Sequence, residues 1–120
     1  NSGRVDFGGD GTQTSALAFG GYDGSVRAYT ESWNGTNWTE VNDLNTARNE
    51  LAGAGTDNTS ALAFAGANPM TGLTETWNGT NWTEVNDMNT DRRGPPGGTG
   101  TQTSALCSGG RDPGQWNFLV

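Results

Sequence analysis

Carboxylates, arginines and tryptophans are the side chains of this 120-residue chain best suited to chemistry. Glu31 with Glu40, and Glu75 with Glu84, recur at one spacing, and paired carboxylates are what glycoside cleavage needs. Trp33 with Trp38, and Trp77 with Trp82, offer faces that could stack on the C–H surface of a sugar. Asp10-Gly11, Asp23-Gly24 and Asn42-Asp43 supply oxygen ligands, but none has the alternating acidic spacing of a dedicated calcium loop. The chain has no His and one Cys, so transition-metal sites are poorly served and no cofactor is expected. A Ser-His-Asp triad is excluded for the same reason, and no G-x-S-x-G is present.

The spacing of these groups has a second explanation. Thr30–Leu44 reads TESWNGTNWTEVNDL and Thr74–Met88 reads TETWNGTNWTEVNDM, 44 residues later. TSAL occurs at Thr14–Leu17, Thr59–Leu62 and Thr103–Leu106. A period of this length marks stacked units, none of which buries its own apolar face alone. A carboxylate or tryptophan that recurs in successive units suits framework use better than a single active site. Packing between units is the competing role for the four tryptophans.

Composition agrees with short strands and tight turns. Glycine contributes 20 residues, and charged residues only 16%. The net charge is −7, the basic residues are all arginine, and they are dispersed. Nucleic acid and anionic membrane surfaces are therefore unfavourable partners, since phosphate binding needs a basic patch. No stretch is apolar enough to be inserted in a bilayer as a helix, and no signal peptide is visible. The chain begins with Asn rather than Met, which suggests a processed product or part of a longer polypeptide. Cys107 aligns with Ala18 and Ala63 and reads as an alanine substitute in a buried strand, not a reactive thiol.

The second copy predicts four strands. Glu50–Ala54 is the first, followed by turn residues Gly55–Thr59. Ser60–Ala65 alternates strictly, Leu62 and Phe64 on one face, Ala61, Ala63 and Ala65 on the other, as in a strand packed on both sides. After a loop at Gly66–Gly72, Leu73–Trp77 and Trp82–Val85 flank the Asn-Gly turn Asn78–Asn81, which should bring Trp77 and Trp82 together. No window shows sustained helical spacing.

This order resembles the kelch repeat. The entering arginine is Arg4, Arg48 and Arg92. The glycine pair closing the second strand is Gly20–Gly21 and Gly109–Gly110, with Ala65–Gly66 in the second copy. The spaced aromatics are Trp33 with Trp38 and Trp77 with Trp82. The first aromatic, usually Tyr in the family, is Trp here, and the hairpin between the aromatics is shorter than the family norm. The resemblance implies an all-β fold of kelch-like β-propeller blades, each of four antiparallel strands. It also implies a packing role for the tryptophans. Copper-oxidase propellers share this likeness but need His ligands.

One repeat domain is expected over residues 1–120. Blade 1 spans about 4–41, blade 2 about 48–85, and an incomplete blade 3 about 92–120. In the third copy Pro95 stands where Phe7 and Leu51 stand, and Ser108 where Phe19 and Phe64 stand. About 2.5–3 blades cannot close a ring, since propellers use roughly four to eight. The ring would be completed by another chain, as in a homo-oligomer, by further sequence, or by a larger assembly. The entering arginines are expected to pair with Glu or backbone carbonyls rather than with a ligand.

Recognition belongs on loops that vary over a constant frame. Those are Tyr22, Asp23 and Arg27 after the first glycine pair, Asn68 and Met70 after the second, and Arg111 and Asp112 after the third. The competing role for each is an ordinary solvated turn. The sequons at Asn34, Asn37, Asn58, Asn78 and Asn81 matter only where glycosylation machinery is met. The expected function is a non-catalytic module for protein or glycan recognition and assembly. Near-identical blades without lysine resemble repeats of phage structural or fibre proteins and bacterial surface proteins, which implies an extracellular or virion-surface location. The alternative is a carbohydrate-active propeller enzyme.

Overall fold

A computed structural model describes residues 3–94 and 97–111. The described chain is all β with no helix. Blade 1 holds β1 (Gly8–Gly11), β2 (Ala16–Phe19), β3 (Thr30–Trp33) and β4 (Trp38–Val41). Blade 2 holds β5 (Ala52–Asp57), β6 (Ser60–Phe64), β7 (Thr74–Trp77) and β8 (Trp82–Val85). Among the described residues the third sheet holds β9 (Gly97–Thr101) and β10 (Ser104–Ser108). Each sheet is an antiparallel meander in chain order. The three sheets are unclosed, as incomplete propeller blades would be.

The alternation in Ser60–Phe64 is realised. Ala61 and Ala63 join Leu17, Phe19, Leu44, Leu51, Trp77 and Trp82 in a core between blades 1 and 2. Phe64 turns the other way, into a second cluster with Ala52, Ala54, Leu62, Met88 and Cys107. The first strands of successive blades lie side by side, β1 against β5 and β5 against β9. Glycine makes that approach possible: a Cβ on Gly53 would sit 2.6 Å from the Phe19 ring, and one on Gly98 2.7 Å from the Phe64 ring.

The second strand of blade 2 ends one residue earlier than expected, at Phe64, and the third begins one later, at Thr74, but the first strand differs most. Glu50 lies outside the first strand of blade 2, at φ 53°. That strand instead runs from Ala52 through the expected turn to Asp57, with a register shift between Gly55 and Asp57. A bulge absorbs the extra residue and lets pairing continue. Cys107 is half-buried rather than buried, because the second cluster is covered less completely than the first. The expectation for Pro95 falls outside the described residues.

β1 carries one polar irregularity. The Asp10 Oδ2 atom is buried without a hydrogen-bond partner, where a Cβ on Gly55 would come within 2.1 Å of it. Burial pushes the Asp10 carboxyl above its usual range, against a hydrogen bond from the Gly11 backbone. The folded state therefore holds this proton more tightly than the unfolded chain. The penalty is absent below the usual carboxylate range and complete above the raised value. Asp10→Asn should accordingly stabilise the fold at pH 7 and lose that advantage as the pH falls through the same window. Urea titrations at pH 7 and pH 4 measure both values, and an equal effect at the two pH values would contradict this account.

Candidate functional site

Strand register decides which loops share an end. Gly8 faces Phe19, Phe19 faces Thr30, and Thr30 faces Val41. The segment entering β1, the β2–β3 loop and the exit of β4 therefore meet at one end of the blade. Blade 2 repeats this with Ala52, Phe64, Thr74 and Val85. Backbone bonds tie the entries together: Glu50 N donates to Asp6 O at 2.8 Å and Gly94 N to Glu50 O at 3.3 Å. The described variable-loop residues thus lie at one end of the blades, opposite the Asn-Gly turns.

The glycine pairs create these loops. Gly20, Gly21, Gly109 and Gly110 all have positive φ, as do Ala65 and Gly66. After each pair the chain bridges back to the residue following the entering arginine, Tyr22 to Val5, Ala67 to Asn49, and Arg111 to Arg93. In the first loop the Arg27 Nε donates to Asp23 Oδ1 at 2.7 Å, and the guanidinium lies 5.2 Å from the Tyr29 ring centre. That hydrogen bond holds the Asp23 carboxyl below its usual range. Tyr22 is 42% exposed beside this pair. In the second loop Asn68 takes φ 67°, a conformation Asn tolerates. Its Nδ2 donates to Asn49 Oδ1 at 2.8 Å, while Met70 is half-buried. Asp112 falls outside the described residues.

The third loop joins a concavity that the sequence reading missed. Arg111, Asp6, Phe7, Glu50, Leu51 and Gly94 line a cavity of about 330 Å³. Arg93 Nη1 stands 3.9 Å from Glu50 Oε1 at its margin. Asp6, Glu50 and Gly94 each follow the entering arginine by two residues, and all have positive φ, 57°, 53° and 28°. Side-chain residues held there are strained, which is common at binding sites. A Cβ on Gly94 would meet Glu50 Oε2 at 2.0 Å, so a side chain in the third copy would displace the Glu50 carboxylate. The sequence signal was an acidic residue at one position in two copies and glycine in the third. Carboxylates, a guanidinium and an aromatic edge together suit a polar ligand.

The other chemically capable groups serve the frame. Arg48 is buried, donating from Nε to Ala65 O at 2.9 Å, from Nη2 to Ala63 O at 3.2 Å, and from Nη1 to Glu75. Arg4 repeats this, with Nη1 on Glu31 at 2.8 Å and Nη2 on Ala18 O at 3.3 Å. Glu40 and Glu84 stand directly across the hairpins from these glutamates and are exposed. The tryptophan pairs close as expected, at 5.4 Å for Trp33–Trp38 and 5.3 Å for Trp77–Trp82. Trp77 and Trp82 are buried, while Trp38 is 40% exposed. Among the described residues no three His, Cys, Asp or Glu gather as metal ligands, and no helix is long and apolar enough to cross a membrane. In comparisons with known proteins, the chain matches no family model and no curated protein.

Proposed function

We propose that this chain is a non-catalytic, kelch-like propeller segment that recognises a protein or glycan through the loop face. One observation carries the reading: Arg4 with Glu31 and Arg48 with Glu75 are spent on buried framework pairs, whereas the loops that differ between copies share one exposed end. Variation on a constant frame is how recognition surfaces are built. Tyr22, Asp23 and Arg27 supply an aromatic face and a fixed charge pair, and the Asp6–Glu50–Arg111 cavity supplies a polar pocket beside the blade entries. The wider context we infer is a structural or attachment component of a phage virion or a cell surface, resting on the character of the repeats alone. Glycoside cleavage is the weaker reading, because Glu31 and Glu75 are each held by a buried arginine.

A glycan microarray, run with the wild-type chain and with Tyr22→Ala and Asp23→Ala, tests the proposal. Both residues are exposed, so each variant should still fold, with a urea midpoint close to that of the wild type. Each should lose about tenfold or more of any specific signal. Signals indifferent to both substitutions would move recognition off this loop. Turnover on a polysaccharide panel that disappears with Glu31→Gln would overturn the non-catalytic reading.

A further inference from the structure

The first loop holds polar atoms that its own fold does not use. Tyr22 pairs with Val5 on one side and with Val26 on the other. Arg27 N donates to Gly21 O at 2.9 Å, and Arg27 O accepts from Arg48 N at 3.2 Å. Both ends of the loop tip, Asp23–Ser25, are therefore tied to the frame of blades 1 and 2. Inside the tip, Asp23 Oδ1 accepts from Ser25 N at 3.4 Å and from Arg27 Nε at 2.7 Å. The Arg27 guanidinium lies over the Tyr29 ring, which steadies its plane. Groups held in this way lose little freedom when they bind.

These contacts leave a row of outward atoms. Among the described residues, no other residue bonds to Asp23 Oδ2, to Ser25 Oγ, or to Arg27 Nη1 and Nη2. The tip is exposed, and a Cβ on Gly24 would meet nothing within 4 Å, so the approach is open. The second loop has no charged residue between Ala67 and Gly72, so the second copy does not repeat the arrangement.

Charge and hydrogen bonding select the chemistry that fits. Arg27 is balanced by Asp23, and Arg4 by Glu31. Asp43 and Glu40 act on Arg4 as well, so carboxylates outnumber arginines around this loop. A phosphate, sulfate or carboxylate would meet a repulsive field. A fixed acceptor beside fixed donors instead suits groups that donate and accept at once, namely hydroxyls.

We propose that Asp23, Ser25 and Arg27 form a subsite for a neutral sugar with adjacent free hydroxyls. One hydroxyl donates to Asp23 Oδ2 while its neighbour accepts from an Arg27 Nη–H, and both bonds are charge-assisted. Ser25 Oγ adds a hydroxyl that can bond in either sense. The subsite rests on the reading of the loop face as a recognition surface, and it narrows the ligand there to a neutral glycan.

The probe is an array of neutral and acidic glycans, read at about 0.05 and about 0.5 M salt. Wild type should bind neutral glycans with adjacent free hydroxyls, equally at both salt levels, since an uncharged partner is not screened. Asp23→Asn keeps an oxygen for Ser25 N and Arg27 Nε but turns the outward acceptor into a donor. It should weaken binding by about tenfold, and Arg27→Met by about tenfold or more. Circular dichroism establishes that both variants fold. Binding confined to acidic glycans, or neutral-glycan binding that survives both substitutions, would overturn the subsite. In either case, loss with Tyr22→Ala would keep recognition on the loop face. A chain that binds no glycan would also overturn the subsite and would leave the loop face to a protein. Neutral-glycan binding indifferent to all three substitutions would remove recognition from this loop altogether.

Discussion

Arg48→Met should cost about 3–5 kcal/mol, the loss seen when one member of a buried ion pair is removed. Domains of this size have only about 5–15 kcal/mol in total, so the variant should be largely unfolded at modest urea. The size of the effect follows from what Arg48 holds. Its guanidinium joins Glu75 to the carbonyls of Ala63, Ala65 and Thr46. The other oxygen of Glu75 accepts from the backbone N of Asn45 at 2.6 Å, in the connection from blade 1. Removing the arginine leaves a buried carboxylate and orphaned carbonyls in an apolar setting. Arg48→Lys should recover little, because a single ammonium cannot reproduce the fork that spans these acceptors. Arg48→Met combined with Glu75→Gln should cost less than the sum of the two single changes, by about 0.5–3 kcal/mol. Urea denaturation followed by tryptophan fluorescence measures the four variants, Glu75→Gln alone included, against wild type. A loss below about 1 kcal/mol for Arg48→Met would show that the pair is not a keystone of the blade.

The frame was legible in the sequence because its signals are local or repeated. Alternation in Ser60–Ala65 reports two packed faces directly, and the Asn-Gly turn places Trp77 opposite Trp82 without any knowledge of the other blades. The entering arginines were legible as structural because they recur at the same position before each small-residue strand. What was not legible depends on contacts between copies. Asn58 Nδ2 donates to Ser32 Oγ and Trp33 O, and Gln102 Nε2 to Thr76 Oγ1, so one turn residue from the second copy and one from the third clamp the preceding sheet. Nothing in an Asn or Gln beside TSAL announces such a partner. The Asp6–Glu50–Arg111 cavity was missed for a related reason. Its residues come from three copies, and positive φ at Asp6 and Glu50 cannot be read from side chains that ordinarily avoid it. The extension of β5 to Asp57 was hidden by Gly-Thr-Asp, which reads as a turn until the bulge is seen.

Trp82→Ala should destabilise the chain by about 3–5 kcal/mol, while Trp38→Ala should cost about 1 kcal/mol or less. The two residues occupy the same position of the same motif, so local sequence predicts equal losses. Neighbours decide otherwise. Trp82 is 5% exposed and packs across the blade boundary on Phe19. Trp38 is 40% exposed, and its aromatic contact is with Trp33 of its own hairpin. Truncating Trp82 therefore opens a cavity between two sheets, which the rigid strands on either side cannot collapse to fill. Trp82→Phe separates the two components of this loss. It keeps most of the ring area but removes the indole N–H, leaving the Thr30 hydroxyl, itself fully buried, without its donor. That change should cost about 1–3 kcal/mol. Chemical denaturation of the three variants against wild type gives the ordering. Equal losses for Trp82→Ala and Trp38→Ala would mean that the tryptophan pair stabilises its own hairpin, and that blade stacking contributes little. The expected inequality would instead make the inter-blade contact the unit of stability, so that the same side chain is worth several times more wherever a neighbouring blade is present to receive it.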